Sequence, residues 1–163
     1  VRRHLIVLTV VAVLVAANWG IYQRERLISE GRIVLLELAP VDPRSLMQGD
    51  YMALRFRVAN DAMAAQHERA SNDGYLIVAV DDEGVGSFRR LDNSTPLAGD
   101  EVKLRYRMRA GQMKFGTNAF FFQEGQADRY ARARFGEFRV GVDGEMILTG
   151  MRGAELQPLN PSG

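Results

Sequence analysis

EVKLRYRMR, Glu101–Arg109, is the stretch whose reading decides the fold. Val102, Leu104, Tyr106 and Met108 alternate with Lys103, Arg105, Arg107 and Arg109, the period of two expected of a half-buried strand. A helix would scatter both sets around its circumference. Upstream, residues 75–80 (YLIVAV) read as a buried strand, Asp81-Asp82-Glu83-Gly84 as a turn, and Val85–Leu91 as the return strand. A loop with Pro96 and Gly99 then leads into Glu101. Downstream, residues 110–118 carry two glycines and read as a loop, and Phe120-Phe121-Phe122 as a short strand. Residues 124–135 read as a helix, with Arg129, Arg132 and Arg134 outward and Tyr130 and Ala133 inward. Residues 137–142 and 145–151 flank Asp143-Gly144, a strong short-range hairpin signal.

The N-terminus has a different character. Arg2 and Arg3 precede an unbroken apolar run over residues 5–17, which a low-charge extension carries through Tyr22. That is near the shortest length that crosses a bilayer, roughly 18 residues. Val15-Ala16-Ala17 would suit a cleaved signal peptide. Trp19 and Tyr22, followed by Arg24 and Arg26, suit a retained anchor with an interfacial aromatic belt, and this is the preferred reading. A buried core helix would show a polar face, which the run lacks. The basic residues before the span place the N-terminus inside and the body outside. The helix is expected to continue to Glu30 and stop at Gly31, with residues 33–38 (IVLLEL) a buried strand.

A chain of 163 residues allows one domain plus a small extra element. With 47% hydrophobic and 25% charged residues, it has the composition of a folded protein, and a net charge of +1 gives no pull toward nucleic acid. There is no Cys, so disulfides, thiolate metal sites and a Cys nucleophile are excluded. His4 lies at the mouth of the apolar run and His67 in a polar segment, where it reads as a surface residue. Lys103 and Lys114 are the only lysines.

Residues 40–56, PVDPRSLMQGDYMALRF, concentrate backbone-constraining residues. Pro40 ends a strand, Asp42-Pro43 suits the cap and first position of one helical turn, and Gly49-Asp50 makes a tight turn. Residues 51–58 then alternate as a strand, with Arg55 and Arg57 on one face and Leu54, Phe56 and Val58 on the other. Residues 62–70 follow as a short helix capped by Asn60 or Asp61.

Three blocks together resemble the family known by its signature as GDYXXLXY. Gly49-Asp50-Tyr51-Met52-Ala53-Leu54-Arg55-Phe56 matches that signature, with Phe56 in place of the last tyrosine. Residues 40–46 match the usual lead-in, and residues 115–125 a second block. The resemblance implies a bacterial membrane-anchored protein without an assigned activity, some members occurring beside multi-pass membrane proteins.

The same corner invites enzymatic readings. Ser45 before Gly49-Asp50 echoes type I signal peptidases, but the nucleophile's place there is held here by Val41, and a serine without an activating base is a poor nucleophile. Asp42 and Asp50 would suit a carboxylate pair or a divalent cation, yet caps and turns use Asp routinely. Asp81-Asp82-Glu83-Gly84 lacks the later ligands of a calcium loop. The cationic rows Lys103–Arg109 and Arg55/Arg57, if on neighbouring strands, would form a positive face toward anionic headgroups, an acidic partner or an anionic cell-wall polymer. The plainer reading is a solvated face with arginines paired across strands. Phe120–Phe122 and Tyr130 read as core, with an exposed aromatic edge as the alternative.

The expectation is therefore a mainly β (α+β) chain. Residues 1–31 form a transmembrane helix, 32–156 a small antiparallel β barrel or sandwich with one or two short helices, and 157–163 a coil tail. The expected location is the bacterial inner membrane, single-pass, with the N-terminus cytoplasmic and the C-terminal domain periplasmic. The expected role is non-enzymatic, an accessory or partner-binding domain for an integral membrane protein, without cofactor or metal. Candidate binding residues are Asp42, Arg44, Asp50, Tyr51, Arg55, Arg57, Arg105 and Arg107. The alternatives are a membrane-tethered hydrolase using Ser45 and a β barrel that holds a small ligand.

Overall fold

The computed structural model describes residues 2–39, 47–48, 51–65, 73–117 and 119–159. Helix α1, Arg2–Glu30, is the expected anchor and its extension in one piece. Among the described residues it is the one helix long and apolar enough to cross a membrane, and none of its most apolar stretch is buried against the rest of the chain. It ends where the sequence places the stop. The Gly31 amide donates to the Leu27 carbonyl (3.0 Å), and a Cβ at Gly31 would collide with that same oxygen. Strand β1, Arg32–Glu37, begins at the next residue.

Nine further strands and two short helices follow: β2 Met47–Gln48, β3 Tyr51–Ala53, α2 Arg57–Ala65, β4 Asp73–Val80, β5 Val85–Leu91, β6 Glu101–Arg109, β7 Gln112–Phe115, β8 Ala119–Phe121, α3 Ala127–Tyr130, β9 Phe135–Val140 and β10 Met146–Arg152. Seven strands form one mixed sheet in the order β10-β9-β1-β5-β4-β6-β7, and β2-β3-β8 form a small second sheet. Every pairing is antiparallel except β1 with β5, where Leu35 lies beside Val85. The large sheet curls until its ends nearly meet. The Arg105 amide donates to the Gly144 carbonyl (2.9 Å), and Gly116 approaches the Met146 carbonyl so closely that a Cβ there would lie 2.7 Å from its oxygen. The mainly β architecture with an apolar N-terminal helix is thus as the sequence indicates.

The interior is filled. Alternate residues of each strand point inward, so Leu76 faces Leu104 and Val78 faces Val102 across β4 and β6, and all four are buried. Phe56 stands among them, edge-on to Phe115 (6.0 Å between centroids) and Phe138 (5.3 Å). An aromatic trio of this kind contributes both buried area and favourable ring geometry. A ligand-holding barrel needs a hollow centre, and this one holds side chains. The phenylalanine that departs from the signature's last tyrosine is 1% exposed, so the missing hydroxyl would have lain inside the core.

Four local expectations need correction. The strand over residues 51–58 stops at Ala53. Phe56 makes an isolated bridge to Leu38, and α2 begins at Arg57. Val58, Ala59 and Ala62 are its buried residues, a spacing that repeats on a helix rather than a strand. The expected loop at residues 110–118 contains β7, paired with β6 from Tyr106↔Phe115 to Arg109↔Gln112. Its two-residue turn has positive φ at both Ala110 (51°) and Gly111 (72°), the twist that tight hairpins require. The expected helix over residues 124–135 shrinks to α3, because Arg134 is already held in the sheet: its amide donates to the Arg152 carbonyl (2.8 Å) and its carbonyl accepts from Leu38 (2.8 Å). Finally, Phe121 is 73% exposed rather than core, whereas Tyr130 is buried against Phe120 (4.9 Å) and Phe122 (5.2 Å).

The two Asp-Gly and Glu-Gly turns behave as read. Asp81 Oδ1 accepts from the amides of Glu83 (3.0 Å) and Val85 (2.8 Å), which commits that carboxylate to the turn. Asp143 Oδ1 accepts from the Glu145 amide (3.1 Å), with Gly144 at φ +83°.

Candidate functional site

The outward row of β6 carries four cations at alternate positions, and their surroundings divide them. Lys103 lies 3.6 Å from Asp92 and 5.1 Å from the centre of the Tyr75 ring. Arg105 is bonded to Glu145, whose hydrogen bond first and charge second hold the guanidinium above its ordinary pKa. Arg109 is 3.8 Å from Asp73. Arg107 is the exception. Its neighbour on β7 is Lys114, another cation, and its neighbour on β4 is Asp73, whose carboxylate reaches Arg109; among the described residues neither Arg107 nor Lys114 forms an ion pair. Like charges placed directly opposite on a sheet are mutually destabilising.

These residues line an open cleft of about 720 Å³ at the seam where the sheet almost closes. Arg105, Arg107, Arg109 and Lys114 come from the β6–β7 hairpin, Glu145 from the β9–β10 turn, and Arg24 from the end of α1. Residues 146–148 of β10 form the opposite wall, where Ile147 is partly exposed while Met146 belongs to the core and Leu148 packs against it. Among the described residues five cations and one carboxylate line the cleft, and that carboxylate is already bound to Arg105, so the cleft carries a net positive charge. Elsewhere some cations are matched, Arg90 with Glu101 (2.9 Å), Arg152 with Glu137 (2.6 Å) and Arg57 with Glu37 (3.1 Å), whereas others, such as the exposed Arg55 and Arg89, stand in solvent.

The candidate residues are therefore not gathered in one place. Arg105 and Arg107 line the cleft. Arg55 and Arg57 do not join them, because β6 is flanked by β4 and β7, and Arg57 opens a helix. Both are exposed on the surface. Tyr51 is half-buried on β3, its ring 5.8 Å from that of Phe121 on β8, so the small sheet presents an aromatic pair with one exposed member. Asp42, Arg44, Asp50, Ser45, Gly49 and His67 lie outside the described residues. Lys103, one of the two lysines, is engaged by Asp92 and Tyr75. Among the described residues no cluster of three or more His, Cys, Asp or Glu is arranged to hold a metal.

Sequence reasoning missed Arg24, Lys114 and Glu145 as parts of one site. The available signal was the alternation Met113-Lys114-Phe115, which continues the in–out pattern of β6 after a two-residue turn.

No curated protein matches the chain, and no solved structure does. A family model described as GDYXXLXY protein matches residues 13–151, a span that runs from within α1 to the penultimate residue of β10. With that match across most of its length, the chain belongs to the GDYXXLXY family.

Proposed function

We propose that the chain is a membrane-anchored extracytoplasmic domain that serves an integral membrane protein as a non-catalytic accessory subunit. The observation that carries this reading is α1, whose apolar stretch is long enough to cross a membrane and uncovered by the rest of the chain, and whose C-terminal end is fixed to the barrel. The fixing is specific. Leu27 packs on Gly141, where a Cβ would come within 3.2 Å of its Cδ1, and Arg139 donates to the Gly31 carbonyl (3.1 Å). Such a domain is held at the bilayer at a set height. The basic residues before the span favour a cytoplasmic N-terminus and a periplasmic barrel at a bacterial inner membrane.

Two surfaces support a partner. Ala12, Ala16 and Gly20 recur every fourth residue on α1, the spacing with which membrane helices pack closely. The exposed Phe121 beside Tyr51 is the kind of aromatic that anchors protein interfaces. The test is photo-crosslinking in intact membranes from positions 16, 20 and 121, with mass spectrometry of the products. Adducts to a multi-pass protein are expected from all three. Recovery of uncrosslinked monomer alone, under conditions that preserve known complexes, would sink the reading.

A further inference from the structure

We infer that the seam cleft binds the phosphate-bearing headgroup of an anionic phospholipid in the membrane that α1 enters; this rests on α1 being a retained span. Three observations converge. The first is charge. Arg107 and Lys114 are held as cross-strand partners; Asp73, in register with Arg107 on its other side, lies 3.8 Å from Arg109, and Glu145, the one acid among the described residues of the cleft, is bound to Arg105. A sheet that keeps two cations opposed gains from a bound anion, which would turn repulsion into two charge-assisted bonds. The second is height. Arg24 lines the cleft and stands two residues after Tyr22, so about 3 Å along the helix axis separates it from the aromatic that marks the membrane interface. The cleft thus opens where headgroups lie. The third is size and polarity. Its volume of about 720 Å³ is far larger than a free phosphate needs and is in the range of small-ligand sites. The partly exposed Ile147 on its wall suits the glycerol and first methylenes of a lipid rather than a hydrated ion. Basic residues close to an anionic leaflet each strengthen binding severalfold.

The experiment uses the full chain in nanodiscs of equimolar phosphatidylglycerol and phosphatidylcholine, released gently into a native mass spectrometer. Wild-type chain is expected to retain phosphatidylglycerol in preference to phosphatidylcholine. In the double variant Arg107→Gln/Lys114→Gln that preference should fall by about thirtyfold. Arg89→Gln, an exposed arginine on β5 away from the cleft, should leave it unchanged. Circular dichroism of each variant verifies that the barrel is intact. Equal retention of the two lipids by the wild type, or an undiminished preference in the double variant, overturns the proposal. So does displacement of the lipid by inorganic phosphate at matched concentration, which would mean that the cleft reads a free anion. Alkaline carbonate extraction of native membranes separates the two levels of the argument. Release of the chain breaks the anchor reading, whereas a chain that stays in the pellet yet shows no headgroup preference breaks only this one.

Discussion

Tyr106 and Phe115 are cross-strand partners on the inner face of the barrel; one residue along each strand, Arg107 and Lys114 are cross-strand partners on the outer face. The inner pair is 4% and 1% exposed and joins the Phe56 cluster, where burying a ring of this size contributes about 1.5–3 kcal/mol. The outer pair sets two like charges opposite each other, which works against the sheet by Coulomb repulsion. Two steps back on the same outer row, Lys103 has Asp92 and a tyrosine face. The pleat alone therefore does not decide how a cation on β6 is treated. Where an acid reaches the row, as Asp92, Glu145 and Asp73 do for Lys103, Arg105 and Arg109, the cation is tied into the fold; Arg107 and Lys114 have no ion pair among the described residues.

The largest effect that tests this contrast lies on the inner side. Phe56→Ala should cost about 3–5 kcal/mol in urea denaturation, since the trio with Phe115 and Phe138 leaves little room for collapse. A loss below about 1 kcal/mol would mean that the interior is not packed as described. Restoring the signature residue by Phe56→Tyr comes next. A hydroxyl placed among those rings without a partner should destabilise by about 1–3 kcal/mol, and a neutral result would reveal an unrecognised acceptor in the core. On the outer side, Lys114→Glu sets a carboxylate opposite Arg107. Thermal unfolding should show a gain of about 0.2–1 kcal/mol while the preference for anionic lipid disappears; a loss of stability would show that the cation serves the fold after all. The smallest effect is expected at the tip of the same hairpin. Ala110 sits at φ 51°, a conformation that asparagine tolerates better than alanine, so Ala110→Asn should raise stability by about 0.5 kcal/mol without touching the cleft.

The strands that the sequence showed plainly are those in which burial alone dictates the pattern. β5 and β6 lie where the alternation puts them, and the Asp143-Gly144 turn carries its own signature in glycine's positive φ. β7 was hidden because its turn is Ala110-Gly111, not one of the dipeptides that announce a hairpin, and because Gly116 follows it closely. α2 was hidden because three alternating apolar residues suit a strand until the burial of Ala59 beside Val58 shows a helical face. The cleft was only half legible. The charged row of β6 is visible in the sequence, but its companions come from α1, β7 and the β9–β10 turn, which only the curling of the sheet brings together. No local pattern encodes which residues meet across a seam. The dense corner at residues 40–50 adds the family signature, and the one described signature position that departs from it, Phe56, acts through packing.

Gly31 closes α1 and β1 starts at Arg32, with no slack between them. A helix joined to a sheet in this way works as a crank. If α1 spans a membrane as proposed, turning it about its own axis by one residue, about 100°, would swing the whole barrel around the membrane normal and present a different side of it to a partner. The register of a partner helix against Ala12, Ala16 and Gly20 would then determine not just whether the subunit is held but which way its cleft faces.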